Sequence, residues 1–214
     1  MSTVAELENL YSAVLADVLD RIGYRNQVLS SRIRGLTPMQ RVYGRVFTAR
    51  AIAVEDVPAE PYKLEMQAIE TMQADDVFVV DVGHIENSAF WGELLSTACL
   101  AKGVRGVVMS GCTRDLWALN QLSFPVFGTG ATPADSLGRL DVIEFGQPIT
   151  IDGVATKNGD LVLGDLDGVV IIPSEVADEA LLKANQKVSG ENTVRDELAQ
   201  GIPVSKVFKK HGIL

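Results

Sequence analysis

The sequence predicts an α/β protein. Three observations carry this: some segments repeat apolar residues with helical period, others alternate or run continuously apolar like strands, and the two kinds follow one another as strand, helix, strand. With 47% hydrophobic and 22% charged residues in 214, the chain reads as one domain over residues 1–214 with a sizeable core, ending in a helical segment from about 174 to 214.

The elements follow in order. "LENLYSAVLADVLDRIG" carries the helical period, and Gly23 is a natural left-handed stop. "RVFTARAIAV" alternates and is rich in β-formers, "PYKLEMQAIETM" opens with a proline suited to a first helical turn, and "DVFVVDVG" reads as a short buried strand. A helix from about Glu93 to Lys102 ends at Gly103, and the strand "VRGVVMSG" follows. After a short helix, "DLWALNQL", come "FPVFGTG" and a glycine-punctuated β-region from Arg139 to Pro173, in which "KNGD" predicts a hairpin turn and "GDLDG" a tight turn. Helix returns afterwards, with Ser174 as N-cap and Pro203 opening a last short helix.

Composition narrows the function classes. The net charge of −9 and the lack of any Lys/Arg run argue against direct nucleic-acid binding. The N-terminus mixes acids among its apolar residues, unlike a signal peptide, and no stretch suits a bilayer, so a cytoplasmic protein without membrane contact is expected. Cys99 and Cys112 have neither zinc nor disulfide spacing; Cys99 reads as core, and Cys112 lacks a histidine nearby in sequence to activate it.

The stretch "GELLSTACLAKGVRGVVMSGCTRD" is otherwise apolar but holds Glu93 at its front and Arg114 with Asp115 at its back. A helix of about ten residues travels ~15 Å, and a strand of about six or seven travels ~20 Å back, so the two ends meet on one rim. The first-turn amides of Leu94 and Leu95 face the same rim, and Gly111 allows a close approach. Arg114 offers a planar fork for a carboxylate, while Asp115 and Glu93 offer oxygens of the kind magnesium or manganese prefers. These charges also suit a capped helix and a surface ion pair, and spacing alone favours that structural reading, because acids at helix starts commonly serve stability.

"WGELL", the twenty-residue interval and "GCTRD" closely resemble the family that contains 4-hydroxy-4-methyl-2-oxoglutarate aldolase and the regulator of ribonuclease activity A. The likeness extends through "SAVLADVLDRIG", "VVDVG", "PVFGTGATPADSLGR", "GDLVLGDLDGVVIIP" and "ENTVRDELAQG". The resemblance implies a layered α/β/β/α sandwich, similar to the swivelling phosphohistidine domain, with C-terminal helices and assembly into a homotrimer or homohexamer. It implies a class II aldolase that cleaves a 2-oxo acid such as 4-hydroxy-4-methyl-2-oxoglutarate to pyruvate through a metal-stabilised enolate, with oxaloacetate decarboxylase activity. Under that resemblance Asp115 ligates Mg2+ or Mn2+ directly, and Glu93 holds it through water. Arg114 grips the substrate, Gly92 and the amides of Leu94 and Leu95 bind it, and Glu191 reaches the metal's waters from a neighbouring subunit. Two departures from the aldolase pattern stand out: Glu93 replaces Asp and Cys112 replaces a second Gly, which puts the particular substrate in question. The family's other branch implies an alternative, a non-catalytic regulator that masks a ribonuclease by protein contact.

Other motifs carry less. "GTGATP" would need Gly where Pro133 stands to bind a dinucleotide. A Schiff-base aldolase needs a buried lysine, and Lys102 and Lys157 sit at expected turns. Asp135 and Arg139 fit either a pocket wall or a capped turn, His84 has no evident partner, and Trp91 and Trp117 are expected to pack helix ends on the sheet.

Overall fold

The structure, a computed structural model, describes residues 4–212. In chain order, a 3-10 turn (Val4–Leu7) precedes α1 (Ser12–Arg21), β1 (Arg34–Gly35), β2 (Val42–Ala53), α2 (Lys63–Thr71), β3 (Asp76–Asp81), β4 (Ala89–Trp91) and α3 (Glu93–Ala101). Next come β5 (Gly106–Met109), β6 (Cys112–Thr113), α4 (Leu116–Leu119), β7 (Val126–Gly128), β8 (Gly130–Ala131) and β9 (Leu140–Phe145). The chain continues through β10 (Ile149–Ile151), β11 (Val154–Thr156), β12 (Leu161–Gly164), β13 (Val169–Ile172), a second 3-10 turn (Ser174–Val176), α5 (Ala177–Ala199) and α6 (Val204–His211).

The expected mixed α/β architecture with C-terminal helices is present. A curled sheet runs β1-β7-β5-β3-β2-β12-β13, with parallel pairs β2–β3, β3–β5 and β5–β7 and antiparallel pairs elsewhere. One edge of the long β2 is shared: β12 pairs with its start and β9 with its end, across a bulge between Arg50 and Ala51 that bends the strand.

Side-chain alternation explains the layers. Odd positions of β2 (Phe47, Ala49, Ala51) and even positions of β3 (Phe78, Val80) pack with Trp91 and Phe124 beneath α2 and α3. Their neighbours Val46, Val77 and Val79 enter a second core with Ile151 and Val154 of the small β10–β11 sheet. "DVFVVDVG" is continuously apolar because both of its faces are covered, and each fully buried aliphatic side chain contributes roughly 1.5–3 kcal/mol. A third core joins α1 to α5 over Leu161, Leu163, Val170 and Ile172.

Local expectations were overturned in several places by tertiary contacts. The first helix starts at Ser12, not near Leu7, because Arg41 Nη2 takes the carbonyl oxygens of Leu7, Glu8 and Leu10 at 2.9, 2.8 and 2.7 Å, away from helical bonding. Asp165, in the β12–β13 turn, instead receives the Ser12 amide (2.7 Å) and hydroxyl (2.6 Å). Ser174 does not cap α5: its amide donates to Asp160 Oδ1 at 2.8 Å, and the residue opens a 3-10 turn. "KNGD" is a tight turn but no hairpin, since it joins β11 to β12 in a different sheet; the β10–β11 hairpin turns at Asp152–Gly153, both left-handed. "DLWALNQL" forms a single helical turn, and Trp117 there is 75% exposed instead of packed.

Candidate active site

β4 and β6 lie side by side in parallel, with Trp91 opposite Thr113, so the segments that leave them emerge at the same end. β4 leads through Gly92 into α3, and β6 leads through Arg114 and Asp115 into α4. The Arg114 amide donates to the Trp91 carbonyl at 2.9 Å and ties the two exits together. Trp91 is buried, its indole N–H donates to Ser96 Oγ at 2.8 Å, and that hydroxyl donates to the Gly92 carbonyl at 3.0 Å, which fixes the start of α3.

The rim expected from spacing is present as backbone geometry. The Glu93 amide donates to Asp115 Oδ2 at 3.3 Å, and Arg114 Nε lies 3.7 Å from the same oxygen. Asp115 sits at φ 61°, ψ 29°, a left-handed conformation that costs on the order of 1–2 kcal/mol for a residue with a Cβ, although Asp tolerates it better than most. A Cβ on Gly92 would stand 2.8 Å from Asp115 Oδ2, so this glycine makes room for the carboxylate. Glu93 turns its carboxylate along its own helix, where Thr97 Oγ1 donates to Oε1 at 2.8 Å. No side chain caps α3 from Gly92, which leaves first-turn amides for a ligand.

A cavity of about 270 Å³ opens beside this rim; Gly92, Leu94, Leu95, Arg114 and Asp115 line one side. The opposite side comes from α2 and from the loop before β9: Tyr62, Glu65, Met66 and Asp135. Arg114 Nη1 pairs with Asp135 Oδ1 at 3.1 Å, and the Tyr62 hydroxyl donates to Asp135 Oδ2 at 3.2 Å. Tyr62 is a second left-handed residue (φ 61°), and burial followed by the Asp135 charge raises its phenol above the ordinary range. Glu65 is 5% exposed, and burial, reinforced by the negative charges of Asp141 and then Asp135, pushes its carboxyl up to about 8.

Glu65 and Tyr62 escaped the sequence reading. The signal was there: Glu65 shares a spacing of i, i+3, i+4 and i+7 with Ala68, Ile69 and Met72, all buried, so an acid occupies the apolar stripe of its helix. Asp135 is both pocket wall and capped turn, whereas Arg139 belongs to the turn alone. Asp135 Oδ1 accepts from the Ser136 amide at 2.8 Å as well as from Arg114, while Arg139 Nη1 donates to the Asp135 carbonyl at 2.9 Å.

The remaining candidates lie elsewhere. Glu191 is on α5, where it receives the Tyr11 hydroxyl and lies 3.4 Å from Lys187 Nζ; within one chain it belongs to the α1–α5 packing. Gly111 faces the Val82 side chain, so its missing Cβ serves core packing and not a ligand. Cys112 is buried against the Glu86 carbonyl and the Thr129 hydroxyl, neutral oxygens that do not activate a thiol, and burial pushes the Cys99 thiol up to about 12. His84 Nε2 pairs with Asp152 at 3.1 Å, outside the cavity. Lys102 and Lys157 are solvent-facing, bonded to the Glu70 carbonyl and to Glu175. In a larger depression of about 720 Å³ Arg50 is paired with Glu144 at 2.6 Å and Lys157 with Glu175 at 2.9 Å, while Asp81 and Asp160 accept hydrogen bonds from Ser110 Oγ and from the Lys157 and Ser174 amides.

The mixed α/β fold thus presents a carboxylate, a guanidinium and open helix amides around one cavity at the ends of its strands. The chain belongs to the RraA-like family (Aldolase/RraA), whose profile it matches over residues 12–171. It is 26% identical over 209 residues to a Halalkalibacterium halodurans protein provisionally named 4-hydroxy-4-methyl-2-oxoglutarate aldolase, covering 96% of this chain and 92% of that one. It is also 26% identical over 196 residues to protein DlpA of Legionella pneumophila, covering 92% of this chain but only 31% of DlpA, so it spans about a third of that relative's length. Among solved structures, Streptomyces coelicolor RraAS2, described as an unusual member of the RNase ES inhibitor RraA family, superposes with a TM-score of 0.80. That match is 28% identical and covers 91% of this chain and 96% of the other. No described helix is long and apolar enough to cross a membrane.

Proposed function

We propose that this chain is a divalent-metal-dependent carbon–carbon lyase that releases pyruvate from a 2-oxo acid. The observation that carries the reading is the joint presentation of Arg114 and Asp115 on the cavity rim, held by the Glu93 amide and the Trp91 carbonyl. The provisional aldolase name of the Halalkalibacterium relative supports the reaction class and suggests 4-hydroxy-4-methyl-2-oxoglutarate as one substrate to try. Oxaloacetate decarboxylation belongs to the same class, because it leaves its electron pair on the same carbon.

The donor set fits magnesium or manganese. Among the described residues no three His, Cys, Asp or Glu side chains converge into a cage. One part-exposed aspartate with a second acid a helix start away is what a hydrated hard cation uses, since magnesium keeps several waters and takes one or two carboxylates. Asp115 is the direct ligand in this reading, Glu93 acts through water, and Glu191 of a neighbouring copy completes the water shell. That role needs a neighbouring copy, as a homotrimer or homohexamer would provide, and Leu94 (77% exposed) and Trp117 (75% exposed) supply apolar surface for it.

When bound, the cation polarises the keto oxygen and stabilises charge that develops there. Arg114 grips the carboxylate through its planar fork, and the Leu94 and Leu95 amides hold the same end, orienting the bond between C3 and C4. Cleavage then removes the proton of the 4-hydroxyl, releases a carbonyl product, and leaves an electron pair at C3 that takes up a proton to give pyruvate.

The test is proton exchange at the methyl group of pyruvate in deuterated water, which needs only the pyruvate half of the site. Exchange should require Mg2+ or Mn2+, stop with chelator, and vanish in Asp115→Ala. Undiminished exchange in that variant, or none with any divalent metal, overturns the reading; total inactivity would favour a protein-binding role like that described for the family of the Streptomyces protein.

A further inference from the structure

We propose that Glu65, with Tyr62 and Asp135, makes the far end of this cavity a subsite for an uncharged, oxygen-bearing group, so that the substrate is a monocarboxylic 4-hydroxy-2-oxo acid. The inference rests on the preceding reading of Arg114 and Asp115 and narrows its substrate.

Three observations carry it. First, the Glu65 carboxyl lines the cavity and is 5% exposed, and desolvation and neighbouring charges act on it without any side-chain hydrogen bond from the described residues, while its oxygens still open onto the cavity. A polar group so placed takes its hydrogen-bond partner from whatever enters the cavity. Second, the charge balance of the wall is one-sided even with Glu65 neutral: the carboxylates of Asp115 and Asp135 line the cavity against a single cation of this chain, Arg114. Arg114 is committed to the near carboxylate and already touches both Asp115 and Asp135. Arg139, the next cation along the loop, is not part of the wall and spends a donor on the Asp135 carbonyl. A second carboxylate at the far end would face acids with no cation of this chain to neutralise it, and like charges in such a site cost several kcal/mol.

Third, Arg114 lines the same cavity, but the charges that shift Glu65 are acids, Asp141 on β9 and Asp135 before it, with the Tyr62 phenol at the start of its own helix. Together with burial they keep Glu65 protonated at neutral pH. A neutral carboxylic acid is a hydrogen-bond donor, so Glu65 recognises a hydroxyl or carbonyl oxygen. Met66 beside it, with Phe90 and Leu94 elsewhere in the lining, accommodates a short carbon chain.

The experiment compares kcat/KM of the metal-loaded protein for 4-hydroxy-2-oxopentanoate and 4,5-dihydroxy-2-oxopentanoate with that for 4-hydroxy-4-methyl-2-oxoglutarate and oxaloacetate. The neutral-ended compounds should win by roughly 100-fold or more, because a second carboxylate meets like charges there and no cation of this chain. Activity on them should fall above about pH 8 as Glu65 ionises. Glu65→Leu should erase the discrimination, while Glu65→Gln, which keeps a donor, should restore part of it and lose the basic limb of the pH profile. Carboxyl 13C resonances of the metal-free protein should show one glutamate titrating near 8 that is missing from Glu65→Gln.

Equal or better turnover of the dicarboxylates, or a basic limb unchanged in Glu65→Gln, overturns the proposal. Pyruvate has no far end, so its methyl exchange separates the two levels. Exchange without discrimination defeats this inference alone, whereas no exchange defeats the reading beneath it.

Discussion

Replacing Glu65 by Gln should make the protein less sensitive to pH between 5 and 9, in a way that needs no substrate or metal to observe. In the unfolded chain this carboxyl ionises near 4.5; in the fold it holds its proton to about 8. Below pH 4.5 both states are protonated and the residue adds no pH dependence. Above it the unfolded state gains by ionising while the folded state does not, so stability falls by about 1.4 kcal/mol per pH unit, until the folded group also ionises near 8. The accumulated loss is roughly 5 kcal/mol, a large fraction of the 5–15 kcal/mol that typically separates folded from unfolded states. The amide of Gln does not titrate, so the stability of Glu65→Gln minus that of the parent should climb by a few kcal/mol between pH 5 and 8 and then level off. Urea unfolding of both proteins, metal-free, at pH 5, 6.5, 8 and 9 measures the difference directly, and contributions from other titrating groups cancel. A difference that does not change with pH would refute the placement of Glu65 as a buried neutral acid.

Gly92→Ala puts a Cβ 2.8 Å from Asp115 Oδ2 and should displace that carboxylate, which lowers divalent-metal affinity by roughly 10–100-fold in calorimetry. Its stability should change by less than about 1 kcal/mol, because the position is an extended N-cap. Arg114→Lys keeps the charge but loses the fork and should reduce kcat/KM by roughly 100-fold in steady-state assays. Asp165→Ala removes the acceptor of the Ser12 amide and hydroxyl and should cost about 2–3 kcal/mol in urea unfolding, with α1 showing faster amide exchange.

The parts of this fold that were legible in the sequence are those set by local pattern. The strand read from "RVFTARAIAV", whose burial alternates only from Ala49 to Ile52 because both faces of residues 46–49 are covered, the continuous run in "DVFVVDVG" and the helix that ends at Gly103 recur in the structure. The meeting of Glu93 with Arg114 and Asp115 was also legible, since a helix and a returning strand of similar length bring their outer ends together. What failed were features decided by distant partners. Arg41 unpicks the start of the first helix, Asp160 claims the Ser174 amide, and the strands on either side of "KNGD" join different sheets. The far wall of the cavity was missed for the same reason. The α2 periodicity announces Glu65 as an inward-facing acid, but only the packing of α2 against β9 shows that inward means into a cavity shared with Arg114. Glu191 illustrates the converse: its sequence motif suggests a metal role, while in a single chain it bonds Tyr11 and Lys187.

The most direct test of the central claim is a crystal of the full chain grown with Mn2+ and oxalate and measured for anomalous scattering. The account predicts a manganese peak on the Asp115 carboxylate, oxalate between it and the Arg114 guanidinium, and Glu191 of a neighbouring copy facing the metal's waters. Manganese bound away from Asp115, with oxalate out of reach of Arg114, would contradict it.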